Sequence, residues 1–105
     1  MRKRHTLLVQ PREKFKGSAG QTEYRNVGDP VEVRGNVHAL SAEEVQLFGD
    51  RAVDTRKFFY FGPSWPGDMF CEITFEGVKW DQVAPAPHMD LGLRTAHFEV
   101  LIRKR

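Results

Sequence analysis

Cys71 is the single cysteine among 105 residues, so no disulfide within the chain can brace the fold, and the plain reading is a reducing compartment or a thiol without a role. The four histidines, His5, His38, His88 and His97, show no His-x-x-x-His spacing, and no Cys-x-x-Cys exists, so no metal site is expected. No apolar run approaches the roughly 18–20 residues that span a bilayer. The stretch Thr6-Leu7-Leu8-Val9 after the basic start is too short for the apolar region of a signal peptide, and no membrane partner is expected. There is no internal repeat.

Catalytic patterns are missing too. Gly62-Pro63-Ser64-Trp65-Pro66 departs from the serine elbow, because Pro66 takes the place of the second glycine and no helix pattern follows. Glu43 and Glu44 are adjacent carboxylates, but they sit in the first turn of an expected helix, where acids favour the dipole. Cys71 alternates with Phe70 and Glu72 inside an expected strand and reads as a small core filler. No catalytic residue, no cofactor and no metal ligand is assigned, and an enzyme is not expected.

Charge is nearly balanced, with sixteen Lys and Arg against fourteen Asp and Glu. Six of the bases are Arg2, Lys3, Arg4, Arg103, Lys104 and Arg105, which leaves a body of net −4 between two basic tips. A general nucleic-acid binder spreads its bases over a face instead. Gly17-Ser18-Ala19-Gly20 has the spacing of a KH-type clamp, but that clamp needs flanking helices, and none is signalled. A composition of 40% hydrophobic and 11% aromatic residues can form a core, and the length suits one domain over residues 1–105.

Period-two alternation between closely spaced turn signals predicts a mainly β fold. Strands are expected over residues 6–10, 31–39, 53–61, 70–75, 78–83 and 95–103, with a long polar loop over residues 11–30. In the second of them Val31, Val33 and Val37 face one way, and Glu32, Arg34, Asn36 and His38 the other, with Gly35 marking a bulge. Glu76-Gly77 predicts a two-residue hairpin turn. Ser41-Ala42-Glu43-Glu44 is a capping box that opens a short helix over residues 41–49, with Gly49 as its stop. A proline loop runs from Pro85 through Gly92. The expected core is Val33, Val37, Phe59, Ile73, Phe75, Trp80, Phe98, Val100 and Ile102. About six strands and one short helix make a small antiparallel β-barrel or sandwich with long loops.

The order of features carries a resemblance. A strand over residues 31–39 runs directly into Leu40-Ser41-Ala42-Glu43-Glu44. Later, Phe75-Glu76-Gly77-Val78-Lys79-Trp80 is followed by a proline loop and a strand ending in Leu101-Ile102-Arg103. From His5 to Arg103 this resembles the head-closure, or head-to-tail stopper, proteins of long-tailed bacteriophages. The resemblance implies a β-barrel that assembles as a ring, commonly a homo-hexamer, in the virion neck, after synthesis in the host bacterial cytoplasm. The portal and its adaptor would lie on one side and a tail terminator or tail tube protein on the other. Packaged double-stranded DNA would be held in the channel. Two readings compete with it: a tail-completion or terminator ring protein, and a small nucleic-acid-binding barrel.

The resemblance makes residues 41–51 the lumen or adaptor contact. Ser41, Glu43, Glu44, Gln46, Asp50 and Arg51 would supply polar contacts, and Leu47 and Phe48 would pack either on a neighbour or on their own barrel. Arg12, Lys14 and Lys16 would face DNA, an acidic partner, or solvent. Trp65, in its proline loop, would either anchor an interface or fold back over the barrel end.

Overall fold

The computed structural model describes residues 4–89 and 96–105. Alternation builds the strands. β1 (His5–Gln10) buries Leu7 and Val9 and turns Thr6 and Leu8 outward. β2 (Arg12–Lys16) and β3 (Thr22–Asn26) form a separate two-stranded ribbon. β4 (Val31–Ala39) leads into helix α1 (Ala42–Phe48) and a 3-10 helix (Gly49–Asp54). β5 (Thr55–Tyr60), β6 (Glu72–Phe75), β7 (Val78–Gln82), β8 (His88–Met89) and β9 (His97–Lys104) complete the chain.

Six strands close a barrel in the order β5-β4-β1-β6-β7-β9, and β9 returns to pair with β5. All pairings are antiparallel, and β8 adds to β9 through His88↔Phe98. Closure removes the open sheet edges that would template aggregation. The interior holds Leu7, Val9, Val33, Phe58, Cys71, Ile73, Trp80, Val100 and Ile102. Each of the Leu, Val, Ile and Phe side chains among them contributes about 1.5–3 kcal/mol when fully buried. Among the described residues, no helix is long and apolar enough to cross a membrane.

The expected β-barrel and its short capped helix are present, and the Glu76-Gly77 turn has the predicted form. Glu76 and Gly77 both have positive φ, 52° and 76°, as a primed hairpin turn requires. Other expectations need correction. Residues 11–30 are not one long loop, because ten of them form β2 and β3. Neither face of that ribbon is covered by the core, so it carries no apolar alternation to read. Residues 53 and 54 belong to the 3-10 helix, and β5 starts two residues later than expected. Parts of two expectations, the proline loop beyond residue 89 and the start of the last strand at residue 95, lie outside the described residues.

Gly35 is not a bulge. Residues 31–35 of β4 pair with β1, and residues 35–39 pair with β5, so the strand changes partner at Gly35 without an extra residue. A Cβ there would stand 2.1 Å from the Phe59 carbonyl oxygen and 2.7 Å from the Phe58 ring. This corner reverses two assignments. Asn36 is buried, with its Oδ1 accepting from the Arg4 amide at 3.0 Å. Phe58, rather than Phe59, enters the core.

Candidate functional site

Three regions carry chemistry outside the core. The first is the segment 41–54. The Glu44 amide donates to Ser41 Oγ at 3.3 Å, and the Ser41 amide donates to Glu44 Oε1 at 3.0 Å, so the capping box is complete. Gly49 stops the α-helix with φ 60°. Lys57 Nζ on β5 lies 2.6 Å from Glu44 Oε2 and 3.9 Å from Glu99 Oε2. The hydrogen bond from Lys57, with that from the Ser41 amide, holds the Glu44 carboxyl below its ordinary value of 4.5. That contact straps the helix to the barrel.

The rest of α1 stands off the barrel. None of its residues is buried; Leu47 is 80% exposed, and Val45 is also exposed. Phe48 is half-buried, while Glu43, Gln46, Asp50 and Arg51 are exposed. The Arg51 carbonyl accepts from the buried Thr55 hydroxyl at 2.7 Å, which fixes the 3-10 helix against β5. Val53 is 71% exposed and opens a groove of about 330 Å³, shared with Val37, Phe75, Val78 and Trp80. Asp54, Arg56, Glu76 and Lys104 add charge to its lining. The buried Trp80 Nε1 has no hydrogen-bond partner among the described residues.

The second region is the β2–β3 ribbon. Its register places Arg12, Lys14 and Lys16 opposite Asn26, Tyr24 and Thr22 on one face. Glu13 and Phe15 lie opposite Arg25 and Glu23 on the other. Arg12 is tied to the barrel: its Nε donates to the Phe70 carbonyl at 2.8 Å, and its guanidinium lies 5.2 Å from the Tyr24 ring centre. Tyr24 packs on Phe70, and with Met69 these residues leave an exposed apolar patch beside the ribbon root.

The third region closes one end of the barrel. Trp65 folds back over the core, against Phe58 and Tyr60, and its Nε1 donates to Gln82 Oε1 at 2.8 Å. The Cys71 thiol reaches the same oxygen at 3.7 Å, and Gln82 Nε2 donates to the Ala84 carbonyl at 2.9 Å. Burial pushes the Cys71 thiol above its ordinary value. Gly67 leaves no room here, since a Cβ would lie 2.8 Å from Trp65 Nε1.

The expected site residues thus fall into separate groups. Residues 41–51 lead into Val53 and Asp54 of the groove, which also takes in Phe75, and His5 packs edge-on against Phe75 at 5.4 Å. β1 runs from there to Gln10 at the ribbon root, so Arg12, Lys14 and Lys16 lie toward the other end of that strand. The C-terminal bases are partly engaged inside the fold. Arg105 pairs with Asp81 and Glu72, each at 2.7 Å, and Arg103 Nε donates to the Thr55 hydroxyl at 3.3 Å. Arg2 and Lys3 of the other tip lie outside the described residues.

Sequence reading missed a row of rings off the core. Phe59 sits 4.6 Å from His38 and 5.0 Å from His97, and Phe61 sits 5.5 Å from His97. His38 on β4, Phe59 on β5 and His97 on β9 give no linear signal; only the pairing of these three strands assembles them. Among the described residues, no three His, Cys, Asp or Glu side chains are grouped to hold a metal ion.

Fold and surface together define a small closed antiparallel barrel with an apolar interior and with a helix and a two-stranded ribbon outside the barrel wall. No family model matches the sequence, and no curated protein matches it. Among solved structures, the chain is similar to the solution structure of protein SF1141 from Shigella flexneri 2a. That likeness has a TM-score of 0.67 at 18% identity, covering 98% of this chain and 93% of the other. At that identity it shows the fold alone.

Proposed function

We propose that this chain is a structural connector: a head-closure protein that forms a ring in the neck of a long-tailed bacteriophage. One side of the ring meets the portal and its adaptor, and the other receives the tail terminator or tube, while packaged DNA is retained in the channel. The observation that carries this reading is the state of segment 41–54. Its helix is fully capped and strapped to β5 by Glu44 and Lys57, yet no residue of it is buried, and Leu47 and Val53 are 80% and 71% exposed. A seven-residue helix gains little stability by itself. Holding one in place with its apolar side chains outward suits a surface that a partner covers. The closed barrel, packed around Leu7, Val9, Phe58, Ile73, Val100 and Ile102, supplies the rigid body that such a part needs.

Native mass measurement tests the proposal across protein concentration, alone and with the portal and adaptor proteins of the same virus. The expected result is a ring, either alone or templated by the adaptor. A chain that stays monomeric throughout and never joins that complex overturns the reading.

A further inference from the structure

The β2–β3 ribbon sorts its charge by face. Arg12, Lys14 and Lys16 share one face with Thr22, Tyr24 and Asn26, and that face carries no acid of its own. Both acids of the ribbon, Glu13 and Glu23, are on the other face. There Glu13 pairs with Arg25, Arg25 lies over the Phe15 ring at 4.9 Å, and Glu23 accepts from Gln21 Nε2 at 3.0 Å. From Lys14 to Thr22 there is no acidic residue at all, and the connecting turn is Gly17-Ser18-Ala19-Gly20. Lys14 and Lys16 are exposed and make no ion pair among the described residues. Arg12 differs, because the Phe70 carbonyl holds it and Glu72 lies 3.9 Å away.

We infer that this face of the ribbon binds the phosphate backbone of duplex DNA, with Lys14 and Lys16 as the contacting charges. Arg12 positions the ribbon by its bond to Phe70, and Tyr24, opposite Lys14 and 48% exposed, offers a ring to the sugar edge. The spacing of this face fits duplex DNA. Side chains two residues apart on a strand repeat every ~6.8 Å, which equals two base-pair rises of ~3.4 Å. A two-stranded ribbon also fits the width of the major groove. A lone two-stranded ribbon is marginal in water. This one has every residue of β3 exposed, so a surface that covers it would stabilise it. The choice of DNA as the polyanion rests on the connector reading, which places DNA in the channel; the segregated face does not depend on it. Two free cations per subunit bind weakly, but a ring repeats them around one duplex.

The test is anisotropy of a labelled duplex of about 30 base pairs, titrated with the full chain between about 50 and 200 mM salt. Lys14→Gln/Lys16→Gln is compared with the wild type and with Glu13→Gln/Arg25→Gln, which alters only the opposite face. Each lost phosphate contact removes about 0.9 from the salt slope. The lysine variant should therefore lose close to two units of slope and about tenfold in affinity at low salt for each subunit bound to the duplex, and the opposite-face variant should match the wild type. Absence of salt-dependent binding by the wild type, or unchanged binding by the lysine variant, overturns the inference. So does a lysine variant that keeps DNA binding but no longer joins the adaptor ring, because the face would then be a protein contact. Native mass of the same samples separates the two proposals. A ring whose DNA binding ignores Lys14 and Lys16 removes this inference alone, and ribbon-dependent binding by a permanent monomer removes the connector reading alone.

Discussion

Lys57 Nζ reaches Glu44 Oε2 at 2.6 Å, and this contact joins the exposed helix α1 to the barrel strand β5. It is reinforced by the capping box, in which Glu44 also accepts from the Ser41 amide. One carboxylate therefore ends the helix and fastens it.

Replacing Glu44 should loosen the segment without unfolding the barrel. Glu44→Gln keeps the shape but removes the charge, and Ser41→Ala removes the cap. Each should cost about 1 kcal/mol of local stability. Amide hydrogen exchange should accelerate across α1 while the core strands keep their protection. Equal acceleration in β1 and β9 would show that the helix is integral to the barrel.

The same carboxylate gives a pH dependence, shared with Glu72. Burial pushes the Glu72 carboxyl up, but hydrogen bonds from Arg105 and Lys79 and their charges outweigh it, and the net direction is down. Both groups are thus below their ordinary value of 4.5 in the folded state. A carboxyl lowered by folding adds stability that is fully present above its unfolded value and is lost as pH falls through its folded one. The melting temperature should hold above the ordinary carboxylate range and decline as pH drops below it. Glu44→Gln/Glu72→Gln should flatten that decline, and an unchanged acid limb would assign it to other groups.

Gly35 sits where β4 changes partners, and the backbone oxygen of Phe59 blocks any side chain. Gly35→Ala should cost at least about 1–3 kcal/mol, because a carbonyl in a closed ladder cannot step aside. For a domain of this size each kcal/mol lowers the melting temperature by about 4–8 °C. Gly49 is the contrast: nothing crowds it, but its φ of 60° and ψ of −130° favour glycine, so Gly49→Ala should cost about 1–3 kcal/mol from backbone strain and not from a clash. A Gly35→Ala protein as stable as the wild type would contradict the corner geometry.

These cases mark what the sequence could and could not reveal. Capping residues and the Glu76-Gly77 turn act over a few neighbouring positions, so their signals are local and legible. Val33, Ile73 and Trp80 were legible as core because each lies between polar neighbours on its strand. Phe58 and Phe59 are adjacent in a run apolar on both sides, and only pairing with both β4 and β9 decides which one points inward. The ribbon escaped detection for the opposite reason. A strand is read from the face it buries, and β2 and β3 bury neither. The separation of Lys14 and Lys16 from Glu13 and Glu23 is visible only once the register is known.

Cys71 should be a reporter of the closed barrel end. It is 1% exposed, its thiol lies 3.7 Å from Gln82 Oε1, and burial raises its pKa, so little thiolate forms near neutral pH. A thiol reagent should label it slowly in the native protein and at once in denaturant. Trp65→Ala removes the ring that covers Phe58 and leaves Gln82 Oε1 without its indole donor. Labelling of that variant should quicken well before global unfolding. A rate equal to the wild type would mean that Trp65 does not guard this end.

Leu47 and Val53 carry the connector proposal, so they should separate folding from assembly. Both are on the outside, and neither belongs to the core cluster. Leu47→Asp and Val53→Asp should therefore change stability by no more than about 0.5 kcal/mol. If a partner ring covers them, each introduced carboxylate is buried without a partner when the rings meet. Losses of about 2 kcal/mol, roughly thirtyfold in affinity, are then expected for central positions. The comparison is the melting temperature of the purified chain against its capture by an assembled portal–adaptor complex. Folded variants that fail to be captured support the proposal. Folded variants captured as tightly as the wild type place the docking surface elsewhere, and variants that unfold show that Leu47 and Val53 support the barrel itself.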